Sequence, residues 1–97
     1  MYMDNISFEW NDHKNQINIK KHQISFAEAM SVFYDDYAIV FDDPDHSIEE
    51  DRFLIIGKTI KEKTCIVSYC IRKRDVIRII SARKATKRER EYYEENR

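Results

Sequence analysis

The hydrophobic pattern changes its period once along the chain, close to Tyr37, and this change restricts the fold more than any other feature. Before that point apolar residues recur at helical spacing, as they do from Phe26 to Phe33. After it, short runs rich in Ile, Val, Phe and Tyr alternate with polar, turn-like stretches, which is typical of strands. The sequence therefore predicts an α+β fold in which helices pack on a sheet.

Capping signals predict two helices near the beginning of the chain. Asn11 or Asp12 can cap a first helix over about residues 12–22. The segment SFAE at residues 25–28 is a capping box, in which a Ser and a Glu side chain each bond to the other residue's backbone amide. It opens a second, amphipathic helix that we expect to continue to about Asp35.

Four strand segments and a last helix account for the later part of the chain, and an extended segment at residues 8–10 precedes the first helix. Short connections favour antiparallel pairing, since parallel strands need a longer crossover. We expect a mainly antiparallel sheet of about four strands, at residues 37–41, 52–57, 64–72 and 76–82. A second capping box, TKRE at residues 86–89, opens a C-terminal helix.

Length and composition bound the class of protein. With 97 residues, 42% of them hydrophobic and 36% charged, we expect one globular domain over residues 1–97. No apolar stretch approaches the roughly 18 residues of a membrane span and no signal peptide is visible, so we expect a cytoplasmic protein. Cys65 and Cys70 fall in an apolar run, where free cysteines pack as small hydrophobes. We expect no disulfide, metal or cofactor.

The net charge of −1 conceals a strong segregation of charge along the chain. Residues 35–51 contain eight acidic side chains and no Lys or Arg. Residues 72–90 contain nine basic side chains and two acidic ones. Such segregation produces a local positive field that can attract a polyanion, although an ordinary solvated surface is the commoner origin of charge runs.

Two segments carry a resemblance to a known family. The runs KHQISF at residues 21–26 and IRIISARKAT at residues 77–86 resemble, in order and separation, those of the BrnT toxins of type II toxin–antitoxin modules. Further matching positions lie between residues 8 and 93 and include Trp10, Asn18, Pro44, Arg52, Glu89 and Tyr93. Gln23 departs from the family, which commonly has Gly there, the usual residue at a left-handed helix end.

The resemblance implies a RelE-like fold and an RNA cleavage reaction that needs no metal and blocks translation. It also implies a partner, a BrnA-like antitoxin whose ribbon-helix-helix dimer binds operator DNA. A complex of two toxins and two antitoxins is expected, so the chain would meet operator DNA only through the antitoxin. RNA is the expected substrate, and no membrane partner is implied.

Metal-free RNA cleavage defines what the residues must supply. The 2′-hydroxyl attacks the adjacent phosphate, which requires a proton acceptor, positive charge on the developing phosphorane and a proton donor for the leaving oxygen. Arginine suits the second task because its planar fork binds phosphate bidentately and stays charged. The candidates on or beside predicted strands are Arg52, Arg72, Arg78 and Arg83.

Arg83 is the preferred catalytic arginine because it follows a predicted strand end, where a loop and a helix start converge. A regular strand would place Arg78 and Arg83 on opposite faces of the sheet. We predict that Arg52, Arg72 and Arg83 are catalytic and that Arg78 binds RNA. For any one of these arginines, pairing with acidic side chains at the surface explains its presence equally well.

His22 and Glu50 are the predicted proton carriers, and Lys21 and Lys84 are the predicted phosphate binders. For His22 the competing explanation is an interaction with the free carbonyl groups of a helix end. For Glu50 it is a solvated loop. His46 is better interpreted as part of a turn than as part of a hydrolase triad.

A non-catalytic module that binds only protein or nucleic acid is the alternative function, because the sequence has no clear His pair or carboxylate pair. A neighbouring reading frame for a short ribbon-helix-helix protein would favour the toxin. Under either function, the apolar pattern predicts a buried core that includes Phe26, Val32, Phe33, Ile55, Val67 and Ile79.

Overall fold

The structure, a computed structural model, describes residues 5–45 and 51–97. Its elements are β1 (Ser7–Glu9), α1 (Asp12–His22), α2 (Phe26–Met30), a 3-10 turn (Ser31–Tyr34), β2 (Ile39–Asp42), β3 (Arg52–Lys58), β4 (Thr64–Arg72), β5 (Val76–Lys84) and α3 (Lys87–Glu95). The α+β class and the helix over residues 12–22 are confirmed. Within these two ranges, each helix is too short or too polar to cross a membrane.

The described strands form one mixed sheet in the order β1-β5-β4-β3-β2. From β2 to β5 each strand pairs antiparallel with the next, which confirms the predicted meander. The expected count of about four strands is corrected to five, because β1 pairs parallel with β5, with Phe8 opposite Ile77. Pairing between two segments so distant in sequence depends on the tertiary fold and leaves no local signal.

The second helix is shorter than predicted, because it ends at Met30 and the chain continues as a 3-10 turn. The Ser25 hydroxyl accepts a hydrogen bond from the Glu28 amide at 3.0 Å, as predicted for the cap. The Glu28 carboxylate does not complete the capping box but accepts a bond from the Thr59 hydroxyl at 2.9 Å. The Ser31 hydroxyl donates to the Glu28 carbonyl at 2.5 Å, a local bond that competes with regular helix.

The boundaries of three strands differ from the predicted ones by one or two residues. The strand β2 begins at Ile39 and not at Tyr37, because the Ala38 amide is bonded to the Asp35 carbonyl in a turn. The strand β3 extends to Lys58, and β5 extends to Lys84. Arg83 therefore lies inside a strand and not beyond its end, which corrects the position predicted for it.

The first face of the sheet, which carries Ile55, Val67 and Ile79, packs against α2 and the 3-10 turn. All six residues predicted for the core are buried, at 1% relative exposure or less. Gly57 allows this close packing on β3, since a Cβ atom there would lie only 3.0 Å from Val32 Cγ1. The core thus fixes the sheet against the N-terminal helices.

The second face of the sheet, which carries Ile56 and Ile66, is partly covered by Tyr93 on α3 and by Ala85, which lies between β5 and α3. The Tyr93 hydroxyl donates a hydrogen bond to Asp35. Burial raises the pKa of Asp35, but hydrogen bonds from the Lys58 amide, from Tyr93 and from the Tyr37 amide outweigh it, so the pKa is lowered. This carboxylate therefore fastens the end of α3 to the sheet.

A β-bulge interrupts the pairing of β4 with β5. Tyr69 pairs with Ile79, whereas the preceding residue Ser68 pairs with Ser81. Ile80 is therefore an extra residue on β5, with no partner of its own in this register. A bulge of this kind shifts the alternation of side chains by one residue.

The bulge corrects the prediction that Arg78 and Arg83 lie on opposite faces. Ile79 and Ala82, three residues apart, both belong to the core cluster on the first face. Their neighbours Arg78 and Arg83 consequently both project from the second face. Counting by alternate residues fails here because it assumes an unbroken strand.

Candidate functional site

Four arginines share the second face of the sheet, and we call this surface the arginine face. It comprises Arg52 on β3, Arg72 on β4, and Arg78 and Arg83 on β5. In the strand register, Cys70 lies between Arg52 and Arg78. Because neighbouring strands lie roughly 5 Å apart, the backbones of those two arginines are about 10 Å apart.

A row of one leucine and two serines separates Arg52 and Arg78 from Arg83. Leu54, Ser68 and Ser81 are paired across three strands, and we call them the serine row. Ser81 is exposed, whereas Leu54 and Ser68 are half-buried. The rows that hold Arg78 and Arg83 are about 13 Å apart along the strands, because their partners on β4, Cys70 and Ile66, are four positions apart. The serine row therefore forms the floor between the two rows that carry these arginines.

The end of α1 brings further predicted residues to Arg83. One open cleft of about 430 Å³ is lined by Lys21, His22, Gln23, Arg83, Lys84 and Thr86. A second, of about 120 Å³, is lined by His22, Leu54, Ile66, Ser68, Ser81, Ala82 and Arg83. His22 and Arg83 belong to both clefts. The structure thus brings together His22, Arg83, Lys21 and Lys84, four of the residues that were selected from the sequence.

Gln23 ends α1, so His22, the predicted proton carrier, lies in the last turn of this helix. Gln23 has φ 58° and ψ 31°, in the left-handed region, where Gly is the usual residue at a helix end. Its amide donates to the Ile19 carbonyl at 2.8 Å, and its side-chain amide donates to the Lys20 carbonyl at 3.0 Å. The side chain therefore satisfies a carbonyl at the helix end and retains the left-handed geometry without glycine.

Asn18 attaches α1 to the edge of β5. Its side-chain amide nitrogen donates to the Ile24 carbonyl at 2.8 Å and to the Ala82 carbonyl at 2.9 Å. Its side-chain oxygen accepts from the Ala82 amide at 3.1 Å. Asn18 is buried. Beyond the end of β1, its side chain bonds to the backbone of β5 as a neighbouring strand would. This contact holds the last turn of α1 beside Arg83.

Arg83 is paired with a carboxylate that the sequence analysis did not select. Its Nη1 and Nη2 donate to Oε1 and Oε2 of Glu89 at 2.8 and 3.0 Å. Glu89 also completes the predicted capping box of α3, accepting from the Thr86 amide at 2.8 Å. The hydrogen bond from Arg83 is the main reason that the pKa of Glu89 falls to about 2, and that bond also raises the pKa of Arg83.

The remaining predicted residues are placed differently. Arg78 Nη1 donates to the Glu9 carboxylate at 2.8 Å, so this arginine is also paired. Arg52 is half-buried, and Arg72 is exposed at the end of β4, farther from Arg83 than the other two. Glu50 and His46 lie outside the described residues. The structure thus gives two arginine groups on one face, and only Arg83 lies beside His22.

Four residues of this site were not predicted from the sequence as site residues: Asn18, Ser68, Ser81 and Glu89. The capping box pointed to Glu89 but gave it only a helical role. Within residues 5–45 and 51–97, no group of three or more His, Cys, Asp or Glu side chains could hold a metal ion.

The fold and the site define the class of protein. Four arginines lie on one face of the sheet, with two lysines and a histidine at its edge, and basic side chains grouped in this way favour a polyanionic ligand. The chain belongs to the family described as the ribonuclease toxin BrnT of type II toxin–antitoxin systems, whose sequence model matches residues 10–89.

A solved structure agrees with this assignment. The chain is similar to the ribonuclease toxin BrnT of Brucella abortus, with a TM-score of 0.68 and 25% sequence identity. The similarity covers 86% of this chain and 100% of the Brucella chain. Among curated proteins, no sequence matches this chain.

Proposed function

We propose that this chain is an endoribonuclease toxin that cleaves RNA without a metal ion and thereby inhibits translation and growth. The observation that carries the proposal is the position of Arg83 beside His22, in two adjoining clefts on the face that also holds three other arginines. A phosphate binder and a proton acceptor within one site are two of the three groups that this reaction needs.

In the proposed reaction the RNA supplies its own nucleophile. A ring nitrogen of His22 accepts the proton of the 2′-hydroxyl as its oxygen forms a bond to phosphorus. The bond from phosphorus to the 5′-oxygen breaks, and that oxygen takes up a proton from the site or from water. The products are a 2′,3′-cyclic phosphate and a 5′-hydroxyl. Arg83 binds the charged oxygens of the phosphorane intermediate.

The other predicted residues complete this assignment. Lys21 and Lys84 bind phosphates beside the reacting one, in the cleft that they share with Arg83. RNA crosses the serine row toward Arg78, which binds a phosphate farther along the strand. Arg52 and Arg72 add positive charge at the far end of the arginine face, and Glu50 is the second proton carrier. Because several contacts are made to phosphate, RNA binding weakens as salt increases.

The family assignment to a type II system supports a protein antitoxin as the partner. We propose a BrnA-like ribbon-helix-helix protein that forms a complex of two toxins and two antitoxins in the cytoplasm and alone contacts operator DNA. It covers the arginine face and so excludes RNA. The excess of basic side chains in residues 72–90 supports this, since an acidic partner surface is complementary to such a segment.

RNA integrity provides the test. The purified chain, its Arg83→Ala variant and the chain in complex with its antitoxin are incubated with total bacterial RNA, with and without a chelator. We expect new fragments with 5′-hydroxyl ends from the free chain only, in equal amounts with chelator. If the folded free chain binds RNA or the antitoxin but leaves RNA intact, the non-catalytic binding module is the correct function.

A further inference from the structure

We propose that Glu89 is a positioning residue for the cleavage reaction, because it holds the guanidinium of Arg83 in one orientation while a second edge of that group remains available for phosphate. The proposal rests on the proposed ribonuclease function and adds a residue to it. Glu89 lies at the start of α3 and outside the two clefts, so it acts through Arg83 and not on the RNA.

The hydrogen bonds of Arg83 determine which of its donors remain. Nη1 donates to Glu89 and, at 3.3 Å, to the Lys84 carbonyl, whereas Nη2 donates once, to Glu89. Nε and the second hydrogen of Nη2 have no acceptor among residues 5–45 and 51–97. These two hydrogens point the same way along one edge of the planar group and form a second fork that fits two phosphate oxygens.

Glu89 is itself rigidly held, which is what a positioning residue requires. Its carboxylate accepts from the Thr86 amide at 2.8 Å, and its own amide donates to the Thr86 hydroxyl at 3.2 Å. At its far end, α3 is anchored by the buried side chain of Tyr93. Because α3 is fixed on the sheet, the carboxylate of Glu89 has a fixed position. It therefore fixes the orientation of the Arg83 guanidinium.

The exposure of the pair agrees with this role. The Arg83 side chain is 44% exposed and Glu89 is 30% exposed, so RNA can approach the arginine without breaking the pair. Without Glu89, Arg83 keeps its charge and can still attract RNA, but it loses the fixed direction of its fork. The expected defect therefore lies in the rate of the bound complex, since rates depend steeply on the placement of the stabilising group.

The variant Glu89→Gln separates the two roles of this residue. Glutamine also forms capping boxes, so it can still accept from the Thr86 amide. Its single side-chain oxygen cannot also accept both bonds from Arg83. The matched control is Glu94→Gln, the same substitution on the same helix, which removes the pairs of Glu94 with Arg97 at 3.0 Å and with Lys58 at 3.7 Å, away from the clefts.

The experiment measures kcat and KM on an end-labelled pool of short random-sequence RNA for wild type, Glu89→Gln, Glu94→Gln, Arg83→Ala and the double variant Arg83→Ala/Glu89→Gln. We expect Glu89→Gln to lower kcat by about tenfold or more without raising KM, and Glu94→Gln to match wild type. The double variant should be no slower than Arg83→Ala alone, because Glu89 acts through Arg83.

Hindered rotation of the Arg83 guanidinium, observed by nitrogen NMR, gives a second readout that does not depend on activity. The rotation should be slow in the wild type and in Glu94→Gln but fast in Glu89→Gln. An unchanged or increased kcat in Glu89→Gln, or a double variant much slower than Arg83→Ala, overturns the positioning role. A wild-type chain that does not cleave RNA overturns the proposed function itself, and the positioning role with it.

Discussion

Replacing Asn18 by Ala tests how the site is held together. The substitution removes three buried hydrogen bonds, two to the backbone of Ala82 and one to the Ile24 carbonyl. Each buried backbone group left without a partner costs about 1–3 kcal/mol. Water can enter the vacated space and satisfy part of the loss, so we take the lower end for each bond, a total of about 3 kcal/mol.

Urea unfolding measures this loss directly. With a slope of about 1.5 kcal/mol per M, a loss of 3 kcal/mol lowers the unfolding midpoint by about 2 M. The control is Gln16→Ala on the exposed side of α1, which should change stability by less than about 0.5 kcal/mol. Asn18→Asp keeps the acceptor for the Ala82 amide but places a charge against two carbonyl oxygens, and should lose at least as much.

A loss of less than about 1 kcal/mol for Asn18→Ala would refute the reasoning. It would mean that these bonds do not attach α1 to β5. His22 and Arg83 would then owe their proximity to other contacts.

Three further predictions concern the core, the ion pair and the floor of the site. Phe33→Ala should lower the free energy of unfolding by about 3–5 kcal/mol in urea titrations, because Phe33 is fully buried; a smaller loss contradicts the described core. The pKa of Glu89 is lowered to about 2 from 4.5, so its stabilising contribution is complete above pH 4.5 and lost toward pH 2; Glu89→Gln should be less stable than wild type at pH 6, and the gap should close in acid. Ser81→Tyr should block RNA binding in a filter assay but leave the melting temperature nearly unchanged, because Ser81 is exposed; unimpaired binding places the RNA elsewhere.

Features with a local chemical cause could be predicted from the sequence. The cap of α1 at Asn11 and the capping box at Thr86 form as predicted, because each needs only residues within one helical turn. The meander followed from short connections between apolar runs. His22 and Arg83 were each selected by their side-chain chemistry, but their proximity was not predicted, because it depends on how α1 packs beside β5.

Features that depend on distant contacts or on one inserted residue could not be predicted. Ile80 differs in no visible way from its neighbours, yet as the bulged residue it moves Arg83 to the face of Arg78. The parallel pairing of β1 and the role of Asn18 at the edge of β5 both depend on where the chain returns after more than sixty residues. Glu89 was visible as a capping residue, but its pairing with Arg83 required the end of β5 to be placed in space.

The central claim is that Arg83 binds the reacting phosphate, and one measurement tests it most directly: the RNA cleavage rates of purified wild type, Arg83→Lys and Arg83→Ala, recorded beside their thermal unfolding. Arg83 is exposed and contributes little to the core, so both variants should remain folded. Arg83→Lys keeps the charge but loses the planar fork and should cleave more slowly than wild type, and Arg83→Ala should be slower still. A folded Arg83→Ala protein with full activity would contradict the account, and the reacting phosphate would then have to bind near Arg52 and Arg72.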